Sequence, residues 1–335
     1  MYARSLFCLT LAALPLPALA DTVWLKNGDR LTGKIAVLDG GKLLIETEYG
    51  GSIPIAWKQV STLESNQPLV VEFHGSPQDE LSRSLSAADE GQVKLGNGSE
   101  SRTVPLASIS QLIHPKPLIQ DFTWEGNVDV ALDYKRADTN TDDYDVAFDT
   151  EAKHGLWRHN AQASYHREYQ DGVTTTHNWE AEYALDRFID EHWFWQGRLD
   201  YKRDHVEEVA RQRTIGTGPG YQFWDNELGA FSLASLFNRS DYLFATGEKE
   251  NFYSLAIKWD YNRYLVGKTF ELFSTGELGK PLSNVADYSL DSELGLRYRV
   301  TDWASLNMKA EKDLVSGSEG DLDETRYTIG FGVGW

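Results

Sequence analysis

Through the last two thirds of this chain, acidic and basic side chains recur at every second position, and this spacing is the main clue to its chemistry. Glu125, Asp129 and Asp133 share one parity, and Asp149, Glu180, Glu271 and Glu293 fall into the same kind of series in later segments. Fewer bases join them, among them Arg198, Lys258, Arg297, Lys309 and Arg326. In an extended segment successive side chains point to opposite sides, so each series lines one face of a strand. The other face is apolar: Trp124, Val128, Val130, Leu132 and Tyr134 alternate with Glu125, Asn127, Asp129 and Asp133. An enclosed face with surplus carboxylates makes a negative potential that draws in cations, while acids and bases of opposing walls neutralise one another where unpaired charge is costly. The spacing therefore predicts a lumen that is either a narrow cation-preferring pore or an ion-paired plug.

Nucleophilic chemistry has weaker support. An esterase or deacylase acting on membrane lipids, the alternative reading, needs a serine beside a histidine base. The same-face neighbours expected for His177 are Tyr169, Tyr201 and Arg203, and none is such a nucleophile. Ser235, Ser274 and Ser292 lie mid-segment and far along the chain from it, while Ser164 and His166 belong to the polar face of one segment. His74, His114, His154, His159, His192 and His205 show no HExxH and no paired ligand spacing, so neither a metal nor a cofactor is expected. Asp138 to Asp142 partly resembles a calcium loop but lacks the glycine that should follow. Gly216 to Gly220 has no helix after it and reads as small residues facing a lumen rather than as a phosphate cradle. The formal charge of -19 excludes nucleic acid as a partner.

These residues sit on twelve predicted strands, near 122–135, 143–153, 157–170, 176–188, 193–204, 211–224, 229–239, 250–264, 268–279, 286–299, 303–313 and 324–335. The last reads ETRYTIGFGVGW, with Tyr327, Ile329, Phe331, Val333 and Trp335 on one face and Thr328 and three glycines on the other. An even number of half-polar strands ending on an aromatic residue predicts a closed antiparallel transmembrane barrel with both termini on one side. Upstream, residues 21–116 hold two copies of a module of about fifty residues, in which Pro54, Ala56, Ser61 and Leu63 match Pro105, Ala107, Ser110 and Leu112. Short strands and Asn-Gly or Gly-Gly turns suggest an SH3-like or Sm-like β-roll. Residues 117–121 form a linker, and residues 1–20, with Arg4, an apolar run and Ala18-Leu19-Ala20, read as a secretory signal peptide carrying the single cysteine, Cys8. The fold class is thus all-β: a 12-stranded barrel with an N-terminal periplasmic tandem module.

Aromatic positions give the orientation. Trp124, Trp157, Trp193, Trp195, Phe223, Trp303 and Trp335 fall at the ends with tight connections, expected in the periplasm. Tyr134, Tyr144, Tyr169, Trp179, Tyr201, Tyr242, Tyr253 and Tyr288 fall at the ends with longer polar connections, expected outside.

The signal peptide, the module VWLKNGDRLTGKI…GGKLLIETEYGGSIPIAWKQVSTL and the ending YTIGFGVGW resemble the YdiY-like salt-induced outer membrane protein family, a conserved domain of unknown function. The resemblance covers the barrel from about residue 122 and supplies no catalytic residues. Similarity to outer-membrane proteins in general implies that the terminal strand, through Tyr327, Phe331 and Trp335, is read by the barrel-assembly machinery. The combined expectation is a non-enzymatic outer-membrane barrel, structural or a narrow cation-preferring pore, linked to the envelope's response to salt. Its expected partners are outer-membrane lipids, lipopolysaccharide and an unidentified periplasmic partner of residues 21–116.

Overall fold

The computed structural model describes residues 20–75, 80–97, 100–116, 120–135, 140–283, 287–301, 303–316 and 322–335, with only the backbone of 120, 121, 134, 135 and 322. The signal peptide, most of the linker, the side chain of Tyr134 and the start of the acidic loop at Asp138 lie outside the described residues. The chain divides into two compact units: residues to Ala36 with Leu43–Ser110, and Val37–Lys42 with Gln111–Trp335.

In the first unit the sequence repeat becomes a repeat of structure. One copy runs β1 (Asp21–Leu25), β2 (Arg30–Asp39), β3 (Lys42–Thr47), β4 (Gly51–Ala56), a 3-10 turn Trp57–Gln59 and β5 (Val60–Glu64). The other runs β6 (Leu69–Phe73), β7 (Glu80–Ser82), β8 (Ser84–Ala87), β9 (Gln92–Asn97), β10 (Glu100–Pro105), a 3-10 turn Leu106–Ser108 and β11 (Ile109–Ile113). Asn27-Gly28 makes the first hairpin, with Gly28 at φ +92, a region that glycine enters without steric cost. The inner faces carry Val23, Leu43, Ile45 and Leu63, all fully buried. The copies are tied together through Trp57, whose Nε1 donates to Leu106 O at 2.9 Å, and Thr62, whose Oγ1 donates to Gln92 O at 2.9 Å.

The second unit is a closed ring. Its strands are β12 (Gln120–Lys135), β13 (Thr141–Gly155), β14 (Trp157–Gln170), β15 (Val173–Phe188), β16 (Trp193–Asp204), β17 (Val209–Asn226), β18 (Gly229–Phe244), β19 (Lys249–Leu265), β20 (Phe270–Pro281), β21 (Tyr288–Arg299), β22 (Ala304–Ser316) and β23 (Leu322–Gly334). Each pairs antiparallel with the next, and β23 closes on β12 from Asn127 opposite Gly334 to Val130 opposite Phe331. Gly126 and Trp335 add a reciprocal pair of backbone bonds at 3.2 and 3.1 Å. Closure pairs backbone groups from strand to strand, the condition for a β-structure to stand in lipid. The outward wall has the matching chemistry, since Leu199, Ile215, Leu255 and Ile329 are all more than half exposed.

The connections differ from expectation in one respect. The stretch 171–175 between two predicted strands is expected to be a loop, but β15 already begins at Val173, leaving Asp171-Gly172 as a two-residue turn with φ of 49 and 81. The β-branched residues Val173 to Thr176 continue the strand's alternation and extend it past the polar composition. Strand β18 likewise runs on to Phe244. Length therefore separates the two rims less than composition suggested. Below, the rim holding Trp335 is the turn rim and its opposite the loop rim.

Candidate functional site: the barrel interior

Alternation places the charged series inside, and closure brings together residues from distant strands. Near the turn rim, Arg158 of β14 donates from Nε to Asp186 of β15 at 2.7 Å and from Nη1 to Gln222 of β17 at 2.7 Å. Asp186, with no exposed surface, also accepts from Gln196 at 2.8 Å. The Arg158 guanidinium lies over the rings of Phe188 and Phe194, about 5 Å from each centroid. Phe194 occupies the space a side chain at position 220 would need: a Cβ on Gly220 would stand 2.2 Å from its ring. Crowding relief, not phosphate binding, explains that glycine.

Farther along, the interior is crossed from wall to wall. Arg198 of β16 bonds Glu277 of β20, and Lys258 of β19 bonds Glu182 of β15. Arg198 also reaches Glu182 at 3.8 Å, so four charges from four strands, two pairs of which face each other across the ring, form one network. A third group joins β21 to β12, where Arg297 bridges Glu271 at 3.0 Å and Asp129 at 3.4 Å, and Asn307 bonds the same Asp129. Lys309 lies 3.1 Å from both Glu293 and Glu311, and Arg326 donates to Glu311 at 2.7 Å. Asp149 stands opposite Asn127, and Glu180 opposite Lys202. Glu125 and Asp133 are exposed, opposite Glu151 and Asp143.

Two features of the interior escaped sequence reasoning. Asp313 and Glu324 complete a row in which Glu277, Asp291, Asp313 and Glu324 are direct cross-strand neighbours on β20, β21, β22 and β23. Their parity with Glu311 and Arg326 was the available signal. Like charges so placed repel, and cations relieve the repulsion. Phe194, Ala234, Leu236 and Ala256 form a buried apolar cluster on the inner wall of β16, β18 and β19, which the reading of a charged lumen did not anticipate. On β18 both faces are largely apolar, so alternation of type gave no contrast to read.

The outer wall carries aromatic bands at both rims. At the turn rim Trp335 packs edge-on to Trp124 with centroids 5.7 Å apart, and Trp193 does the same to Tyr221 at 5.0 Å. Trp157, Trp195 and Trp303 are exposed there, as are Tyr327 and Phe331 on the outward face of β23. At the loop rim Tyr144 meets Tyr169 at 6.4 Å and Trp179 stacks on Tyr201 at 4.9 Å. Tyr242, expected in this band, instead turns inward, with its ring 5.0 Å from that of the buried Phe252.

The histidines have partners other than serine. His166 Nδ1 faces Asp143 and Asp145 at 3.4 and 3.7 Å, His159 bonds the Tyr183 hydroxyl at 2.7 Å, and His177 stacks on His205 at 4.3 Å.

A family model described as "Protein of unknown function, DUF481" matches residues 128–335. No curated protein sequence matches the chain. Among solved structures, the chain is similar to the NanC porin, at 10% identity and TM-score 0.40, over 63% of this chain and 99% of that one. It is similar also to the KdgM porin, at 11% identity and TM-score 0.35, over 63% and 98%. The translocator domain of the autotransporter NalP from Neisseria meningitidis gives 12% identity and TM-score 0.34, over 64% and 88%.

Proposed function

Since the chain belongs to the DUF481 family of proteins of unknown function, we propose its role from the barrel's own chemistry: a non-enzymatic outer-membrane barrel, largely filled by ion-paired side chains, that passes only small ions and prefers cations. The observation that carries this reading is the row Glu277, Asp291, Asp313 and Glu324, a carboxylate on each of four adjacent strands, of which only Glu277 has a base within ion-pair distance among the described residues. Any ion moving past it meets negative potential. The outer membrane as location is supported by the apolar wall between two aromatic bands. The tryptophan-rich turn rim faces the periplasm, with the N-terminal module on that side. The terminal strand's Tyr327, Phe331 and Trp335 serve recognition by the assembly machinery, and residues 21–116 await a periplasmic partner. Resemblance to salt-induced relatives supports a part in the envelope's salt response.

Reversal potentials of the purified protein in a planar bilayer under a salt gradient test the selectivity. Cation preference is expected, weakening as salt screens the row, and falling further in Asp291→Asn/Asp313→Asn. Anion preference at low ionic strength would overturn it. For orientation, a protease site inserted at Gly247 should be cut in intact cells and one at Asn27 protected, whereas cutting at Asn27 reverses the topology.

A further inference from the structure

The bases on the outer wall behave unlike those inside. Within the lumen Arg158, Arg198, Lys258, Arg297, Lys309 and Arg326 each lie within ion-pair distance of a carboxylate. On the outward faces of β14, β16 and β17 near the loop rim stand Arg167, Arg203, Arg211 and Arg213, and among the described residues none has a carboxylate at that distance. Arg203 and Arg211 are direct cross-strand neighbours, which holds their Cβ atoms about 5 Å apart and sets two positive charges against each other. In a chain of formal charge -19 this concentration of base is not an accident of composition. Asp241, opposite Arg213 on β18, is already 3.4 Å from Arg239, which leaves these four bases to an anion from outside the chain.

The surroundings say which anion. The arginines rest on an aromatic platform: Arg167 lies over Tyr169 at 4.6 Å and Arg213 over Tyr201 at 5.6 Å, and the Tyr201 ring stacks on Trp179. The stacked His177 and His205 fill the space between, with Arg167 directly opposite His177. Arg203, His205 and Arg211 line a hollow of about 310 Å³ together with Leu243 and Ala245. Asp204 and Glu207 also border it, but the Asp204 carboxylate is taken up by the backbone N–H groups of Val206 and Glu207, at 2.8 Å each. Toward mid-wall the same strands present Leu199 and Ile215, both more than half exposed. Base at the rim, aromatic rings beneath it and bare aliphatic wall below make the profile of a lipid standing upright: phosphate, sugar, acyl chain. Four neighbouring strands span about 14 Å, the width of a disaccharide headgroup bearing a phosphate at each end. Guanidinium forks suit such phosphates better than lysines do.

We propose that the outward face of β14 to β17 at the loop rim is a binding site for the phosphorylated glycolipid of the outer leaflet, with Arg203, Arg211 and Arg213 holding one phosphate, Arg167 at the other end of the span the second, and Tyr201 and Trp179 its sugar. This rests on the orientation proposed above, but the site can be tested without it, because in detergent micelles either leaflet's lipid reaches either rim. Full-length protein is titrated with bis-phosphorylated lipid A, dephosphorylated lipid A, phosphatidylglycerol and inorganic phosphate, and retained lipid is counted by native mass spectrometry. Bis-phosphorylated lipid A should be held at least about tenfold more tightly than the dephosphorylated form, since a single charge-assisted hydrogen bond to a phosphate is worth that order. Arg203→Gln/Arg211→Gln/Arg213→Gln should weaken retention about tenfold or more, and Arg187→Gln, at the turn rim over Trp157, should leave it unchanged. If the triple variant does not fold, Arg211→Gln alone is read in the same assay, and the preference of the parent protein for the phosphorylated lipid stands as a separate measurement. Equal retention of both lipid A forms, tighter retention of phosphatidylglycerol, or displacement of lipid A by an equal concentration of inorganic phosphate would each overturn the site. A Gly247 tag protected in cells would sink the orientation while leaving the micelle result to judge the site.

Discussion

The two units use one backbone periodicity for opposite ends. In the N-terminal module, Leu43, Leu63 and Leu69 have no exposed surface, while Lys34, Glu46 and Lys94 face water. In the barrel a carboxylate, Asp186, is buried as completely as Leu228, while Ile329 and Phe331 are 71% and 72% exposed. The difference lies in what each sheet encloses. A small module brings its inner faces into contact and buries aliphatic groups, the main favourable term in its stability. Twelve strands closed in a ring leave an interior too wide for short aliphatic side chains to fill, so long charged ones reach across it, and the apolar face turns to lipid. Burial therefore means different things in the two regions. In the module it measures hydrophobic gain. In the barrel it marks ion pairs whose disruption is costly even though their formation contributes little.

The sharpest test of that contrast is Asp186→Ala. It strands Arg158, whose remaining carboxylate neighbour Glu151 is at 4.0 Å, and should destabilise the barrel by about 3–5 kcal/mol, read as a lower urea midpoint and loss of the heat-modifiable band. Next, Leu63→Ala removes a buried aliphatic group from the module and should cost about 2–5 kcal/mol. The module should become protease-sensitive while the barrel keeps its heat-modifiable mobility; a barrel that unfolds with it would show that the two units share one transition. On the lipid wall, Ile257→Arg should cost about 2–4 kcal/mol near the bilayer midplane, measured by the same urea titration in lipid vesicles, and Ile257→Leu should be close to neutral.

A smaller effect should appear at the turn joining β15 to β16. The Asp190 carboxylate accepts the backbone N–H groups of Trp193 and His192, at 2.7 and 2.8 Å, and these bonds hold its pKa below the usual aspartate value. Because the folded pKa is depressed, the stabilisation is present above the unfolded value of about 3.9 and is lost as pH falls through the lower folded one. The Trp193 amide resonance should therefore shift with a midpoint below that of a free aspartate, and Asp190→Asn should abolish the shift.

Strand count, face parity and the internal repeat were legible in the sequence, because each depends on local geometry: a strand's side chains alternate whatever surrounds it. Glu125 to Asp133, Trp124 to Leu132 and the closing run Tyr327 to Trp335 declare their faces without help from any other segment. On β18, where both faces carry similar residues, the reading failed for Tyr242, and only closure of the ring gathers Leu236 with Phe194 and Ala256. Closure also decided every contact between strands that are not neighbours: Arg198 with Glu277, Lys258 with Glu182, Arg297 with Asp129. It likewise set the register that lines up four carboxylates and lays His177 on His205. A period of two tells which way a residue points. Which residue it meets depends on how many strands stand in the ring and how they are staggered, and no stretch of sequence holds that information by itself.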